Sequence, residues 1–123
     1  MEDVFQKLIL MIRAYYPVLY LHSYEYYRTK QKIKGIVELL RREGKKVNYY
    51  QWDCVYGLVQ ILPDKTEKRI ERMQNPLEVL AYILNSKKSR EKNIFVLDDI
   101  NNHIDRDEVK LMFRKIAEAT NNN

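Results

Sequence analysis

Four consecutive apolar residues, Ile94-Phe95-Val96-Leu97, followed at once by Asp98-Asp99, constrain this chain more than any other feature. The run is too short for a helix and too continuous for a strand with one wet face. It reads as a strand buried on both faces, of the kind found inside a parallel sheet. The two carboxylates stand at its carboxyl end, the edge at which open α/β sheets bind ligands.

The surrounding pattern supplies helices to cover such a strand. Asp3 can cap a helix to about Ala14, closed by Tyr15-Tyr16-Pro17, since the residue before a proline is pushed out of the helical region. Val18 to Leu21 is a first short strand, and His22-Ser23 turns out of it. Ser23 can cap a second helix to about Glu43, with Glu25 in its first turn and Ile33, Ile36, Val37 and Leu40 on one stripe. Gly35 lies mid-helix at a cost of ~1 kcal/mol relative to alanine, which suggests a close helix–sheet contact. Gly44 suits the residue after the helix, with Arg41 and Arg42 offsetting its negative end. Val47 to Trp52 is a second strand rich in aromatics. These could form a base-stacking platform, but strand aromatics more often pack against a helix.

Residues 53–74 read as a hairpin, Leu58 to Leu62 and Lys68 to Met73 around Pro63-Asp64-Lys65-Thr66, or as a loop. Asn75-Pro76-Leu77-Glu78 starts a third helix with a capping box, its stripe Leu77, Leu80, Ala81 and Leu84. A basic connector, residues 86–92, leads into the Asp-tipped strand. The final helix follows Asp105-Arg106-Asp107-Glu108 and buries Val109, Met112, Phe113 and Ile116. Alternation of helix and strand implies an α/β fold: one domain over 1–123, a three-layer α-β-α sandwich with a short parallel sheet and the Asp-tipped strand central. Three strands would leave the first and second as open edges, where a partner or second copy could add.

Composition narrows the function classes. Apolar residues at 46% and charged residues at 32% describe a globular chain rather than a disordered one. The acidic start Met1-Glu2-Asp3 is unlike a signal peptide, and the early apolar run Leu8 to Ile12 is too short to cross a bilayer. A cytoplasmic or organelle-stromal protein without membrane contact is expected. The lone Cys54 fits a reducing compartment and reads as a small buried hydrophobe. The net charge of +5 gathers on Arg28, Lys30, Lys32, Lys34, Arg41, Arg42, Lys45 and Lys46, a possible basic interaction face. Nucleic acid is one partner for such a face, though no zinc-finger, RNP-like or basic-zipper pattern accompanies it, and the solvated face of two amphipathic helices is the favoured reading of the charge.

A strand–loop–helix unit and a later Asp-tipped strand form the skeleton of a P-loop nucleotidase. Phosphate binding there needs a glycine loop, a lysine, and Ser/Thr plus Asp for magnesium. Residues 22–30 instead read His-Ser-Tyr-Glu-Tyr-Tyr-Arg-Thr-Lys, with no glycine and with tyrosines and Glu25 where phosphates would approach. Asp98 and Asp99 remain as Walker-B-like candidates. His103 and Asp105 beside them match no metal-ligand spacing, and no nucleophile–base pair is readable.

The phrases at Leu8–Tyr20 (LILMIRAYYPVLY), Tyr49–Leu58 (YYQWDCVYGL), Asn75–Ile83 (NPLEVLAYI) and Ile94–Ile116 together resemble the N-terminal domain of an AAA+ ATPase family named after a hypothetical chloroplast reading frame. The family strand commonly has Lys before its terminal Asp; here Asp98 stands in that place and Asp99 is the matched acid. The resemblance implies a degenerate, Walker-A-less module that regulates or assembles through protein contacts, without cofactor or catalytic residues of its own. ATP and magnesium are then expected only for a full-length relative, whose ATPase module would lie beyond this segment and partner it.

Overall fold

The structure, a computed structural model, describes residues 18–21, 26–86, 92–98, 100–103 and 105–121. Expectations for the opening helix, for Ser23 and Glu25, for most of the basic connector and for Asp99 fall outside the described residues.

The described residues contain the strands β1 (Val18–Leu21), β2 (Val47–Asp53), β3 (Gly57–Ile61), β4 (Glu67–Glu71) and β5 (Lys92–Asp98). They form one sheet in the order β1-β5-β2-β3-β4. The Asp-tipped strand β5 therefore has a parallel neighbour on each side. Val18 lies opposite Phe95 and Leu21 opposite Asp98, while Val47 pairs with Lys92 and Trp52 with Leu97. Ile94, Phe95, Val96 and Leu97 are all fully buried, as a strand covered on both faces requires.

The sheet is mixed, not parallel throughout, and among the described residues it has five strands rather than three. Residues 53–74 form the hairpin because they contain two tight turns, and antiparallel strands can be joined by short turns. In the first, the Asp53 carboxylate accepts the Val55 and Tyr56 amides at 2.8 and 2.6 Å, and Gly57 takes φ +82°. In the second, Lys65 takes φ 72°, and Asp64 accepts the Thr66 amide and hydroxyl at 3.0 and 2.6 Å. The second strand is thus internal, and β4 becomes the edge. Its sequence Glu-Lys-Arg-Ile-Glu puts charge along that rim, a common guard against edge-to-edge pairing.

Three α-helices follow the expected positions: α1 (Tyr26–Arg42), α2 (Pro76–Ser86) and α3 (Asp107–Asn121). On one face of the sheet, Ile33, Ile36, Val37 and Leu40 of α1 pack on Val47, Tyr49, Ile94 and Val96. On the other, α2 and α3 cover Tyr50, Trp52, Phe95 and Leu97. The period-2 alternation of β2 and β5 divides their residues between these two cores. Three layers result. The far core is anchored by aromatic contacts, with Tyr50 stacked on Phe95 at 4.6 Å and Tyr82 edge-on to both rings.

Helix ends follow local chemistry. The Gly44 amide donates to the Arg41 carbonyl and the Lys45 amide to that of Leu40, closing α1 in a Schellman motif with Gly44 at φ +85°. Asn75 caps α2 by accepting the Leu77 amide at 2.9 Å. Its buried stripe is Pro76, Val79, Leu80 and Ile83, with Leu77 and Leu84 only half-buried, so the expected face is rotated by one residue. Both sets satisfy helical spacing, and contact with the aromatic sheet face selects between them. Gly35 also departs from expectation. A Cβ there would meet nothing within 4 Å, so no close helix–sheet contact requires glycine.

Candidate functional site

The parallel strands β1, β5 and β2 end on the same edge, which brings Asp53 and Asp98 to one end of the sheet. Lys30, just over one turn into α1, faces them. Burial lowers its pKa from the ordinary lysine value, helped by Lys34, while Asp98, Asp53 and Glu67 act in the opposite direction. Lys30, Gln51, Asp53, Tyr56 and Glu67 line a cavity of about 300 Å³ beside Trp52. Asp98 is half-buried at the strand end. Asp53 was not among the sequence candidates. A signal for it existed, since an acid ending the second strand of a parallel pair must share an edge with the acid ending the first.

A second hollow, of about 310 Å³, lies between α1 and the β3–β4 turn. Tyr49 forms part of it. Its ring is almost wholly buried, and its hydroxyl accepts a hydrogen bond from the Gln51 side chain at 2.9 Å.

The sequence-assigned basic face divides in the structure. Arg41 is half-buried, its guanidinium donating to the Val47 carbonyl at 3.1 and 2.9 Å and to that of Ile61 at 3.4 Å. It ties the end of α1 to β2 and β3. Lys30 belongs to the carboxylate edge, and Lys32 and Lys34 are half-exposed. Arg28, Arg42, Lys45 and Lys46 are exposed, with Lys45 3.9 Å from Glu43. Cys54, expected inside, is exposed, because the turn held by Asp53 carries residues 54–56 outward. Trp52 is buried and donates its indole N–H to the Met73 carbonyl, so it offers no stacking platform. No cluster of three or more His, Cys, Asp or Glu side chains suited to a metal occurs among the described residues; His103 and Asp105 join no such group.

A family model described as the N-terminal domain of SpoVK-like AAA ATPases matches residues 4–123. The chain belongs to that family. It is an N-terminal module of an AAA+ ATPase, with the α/β sandwich above as its fold. Neither a curated protein nor a solved structure matches it significantly. Among its described residues, no helix is long and apolar enough to cross a membrane.

One property of this SpoVK-like domain follows directly from Tyr49. Burial pushes its phenol up to about 12, and the Gln51 hydrogen bond opposes this only in part. In the unfolded chain a tyrosine ionises near 10. The folded state therefore holds the proton more tightly, and the stability this provides is complete below about pH 10 and is lost as pH rises towards 12. The difference in phenolate absorbance between wild type and Tyr49→Phe during an alkaline titration is expected to show the Tyr49 phenol ionising above the ordinary tyrosine range, together with loss of helical circular dichroism. Tyr49→Phe should delay that unfolding.

Proposed function

We propose that this chain is a degenerate, Walker-A-less N-terminal module, related to the AAA+ group named after a chloroplast reading frame. It acts in regulation or assembly through protein contacts. ATP binding and hydrolysis belong to the ATPase module of full-length relatives. The observation that carries this reading is the charge at the ligand edge. Among the described residues, Lys30 there lies within electrostatic reach of Asp53, Asp98 and Glu67. Three carboxylates within electrostatic reach of one lysine make the site repel polyphosphate, where a nucleotidase concentrates donors and positive charge. The absence of glycine from residues 22–30 supports the same conclusion. A cytoplasmic or stromal location is part of this proposal.

Calorimetry of the chain with millimolar ATP and magnesium is expected to give no binding heat, and phosphate release to stay at the buffer rate. Tight nucleotide binding that disappears in Asp98→Asn or Asp99→Asn would overturn the proposal.

A further inference from the structure

We propose that the hollow between α1 and the β3–β4 turn is a docking groove for an acidic peptide segment of a partner protein, seating one carboxylate side chain. The inference rests on the reading above that the module works through protein contacts, and it names the chemistry of one such contact.

The groove carries Lys34, Arg41 and Lys65 against Glu38 and Glu67, so three cations face two carboxylates and one positive charge is in excess. None of the three cations forms an ion pair among the described residues. Arg41 is the distinctive member. Its Nε and Nη2 donate to the Val47 and Ile61 carbonyls, which fixes the guanidinium plane without neutralising it. The Nη1 donors have no hydrogen-bond partner among the described residues. A guanidinium held in this way loses little freedom on binding, and Nη1 can donate a charge-assisted hydrogen bond to one carboxylate oxygen. One excess charge suits a monoanion better than a phosphate dianion, which Glu38 and Glu67 would also repel. Ile61, Leu62 and Pro63 provide an apolar wall for residues beside the acid, and the volume of about 310 Å³ is at the lower end of ligand pockets.

Gly35 fits this picture. It lines the groove, is exposed, and would meet nothing within 4 Å if it carried a Cβ. Packing in the fold does not call for glycine at that position, and a bulky side chain there would project into the groove.

The test is an amide chemical-shift titration of the chain with N-acetyl Leu-Glu-Leu amide, and with the Leu-Gln-Leu peptide as control. The expected result is saturable shifts at Gly35, Ile61, Leu62 and Lys65, with the glutamine peptide at least tenfold weaker. Lys65→Glu and Gly35→Leu should each weaken binding at least tenfold while circular dichroism shows the fold intact; both positions are exposed. Silence at millimolar peptide would overturn the inference, as would equal binding of the glutamine peptide or equal shifts with inorganic phosphate. Nucleotide heat on the same sample counts against the proposed nucleotide-free contact module, so a silent peptide with silent ATP removes the groove and leaves that proposal standing.

Discussion

Trp52→Ala is expected to cost most of the stability of this domain. The indole is 2% exposed and packs with Leu58, Met73 and the face of the sheet under α2 and α3. Removing a buried tryptophan side chain costs about 3–5 kcal/mol from lost burial and the residual cavity. The Met73 carbonyl, which accepts the indole N–H, then loses its partner at a position only 5% exposed, adding about 1–3 kcal/mol if water cannot reach it. Domains of this size are stable by only about 5–15 kcal/mol, so the alanine variant should be largely unfolded at 37 °C. Trp52→Phe shifts the balance between the two effects, since it loses the donor but keeps more of the buried apolar volume than alanine does. Urea unfolding followed by circular dichroism should place it between wild type and alanine. A phenylalanine variant as stable as wild type would show that the Met73 bond contributes nothing.

What was legible in the sequence was whatever short-range chemistry decides. The unbroken apolar run at Ile94–Leu97 required cover on both faces, and β5 has it. Gly44 after two arginines foretold the Schellman end of α1, and Asn75-Pro76 foretold the start of α2. Arg41 and the α2 stripe were missed for one reason, a tertiary contact with no local signature. Arg41 looked like surface charge until the Val47 and Ile61 carbonyls, six and twenty residues away, were brought to it. The register of the α2 stripe was ambiguous on spacing alone, and the aromatic layer of Tyr50 and Phe95 decided it.

The candidate edge divides in the same way. Asp98 was readable because it follows its strand directly. Asp53 was not, because its neighbours look like loop and its place depends on β2 lying parallel beside β5. Lys30 was assigned to a basic face by its helical neighbours. Its burial and its proximity to three carboxylates arise from how α1 crosses the sheet, which periodicity does not encode.

Gly57→Ala is expected to be the most damaging change of a small residue. Gly57 opens β3 opposite Asp53 at φ +82°, in the left-handed region where a Cβ costs about 1–2 kcal/mol. Space is the second problem. A Cβ there would lie 2.9 Å from the Glu71 carbonyl oxygen, 3.1 Å from the Met73 amide nitrogen and 3.2 Å from the Arg72 Cα, all backbone atoms. Relieving that overlap means moving residues 71–73, at about 1–3 kcal/mol for an overpacked site. Gly44 provides the control. Its φ is +85°, but a Cβ would meet nothing within 4 Å, so Gly44→Ala should cost only the conformational part. The difference between the two variants isolates the steric part. Moving residues 71–73 also displaces the carbonyl that accepts the Trp52 N–H. The Gly57→Ala and Trp52→Phe penalties should therefore sum to more than the double variant loses, because the hydrogen bond can be broken only once. Additive penalties would mean that the strand accommodates the methyl without shifting Met73, and equal losses for the Gly44 and Gly57 variants would mean that the close approach carries no cost.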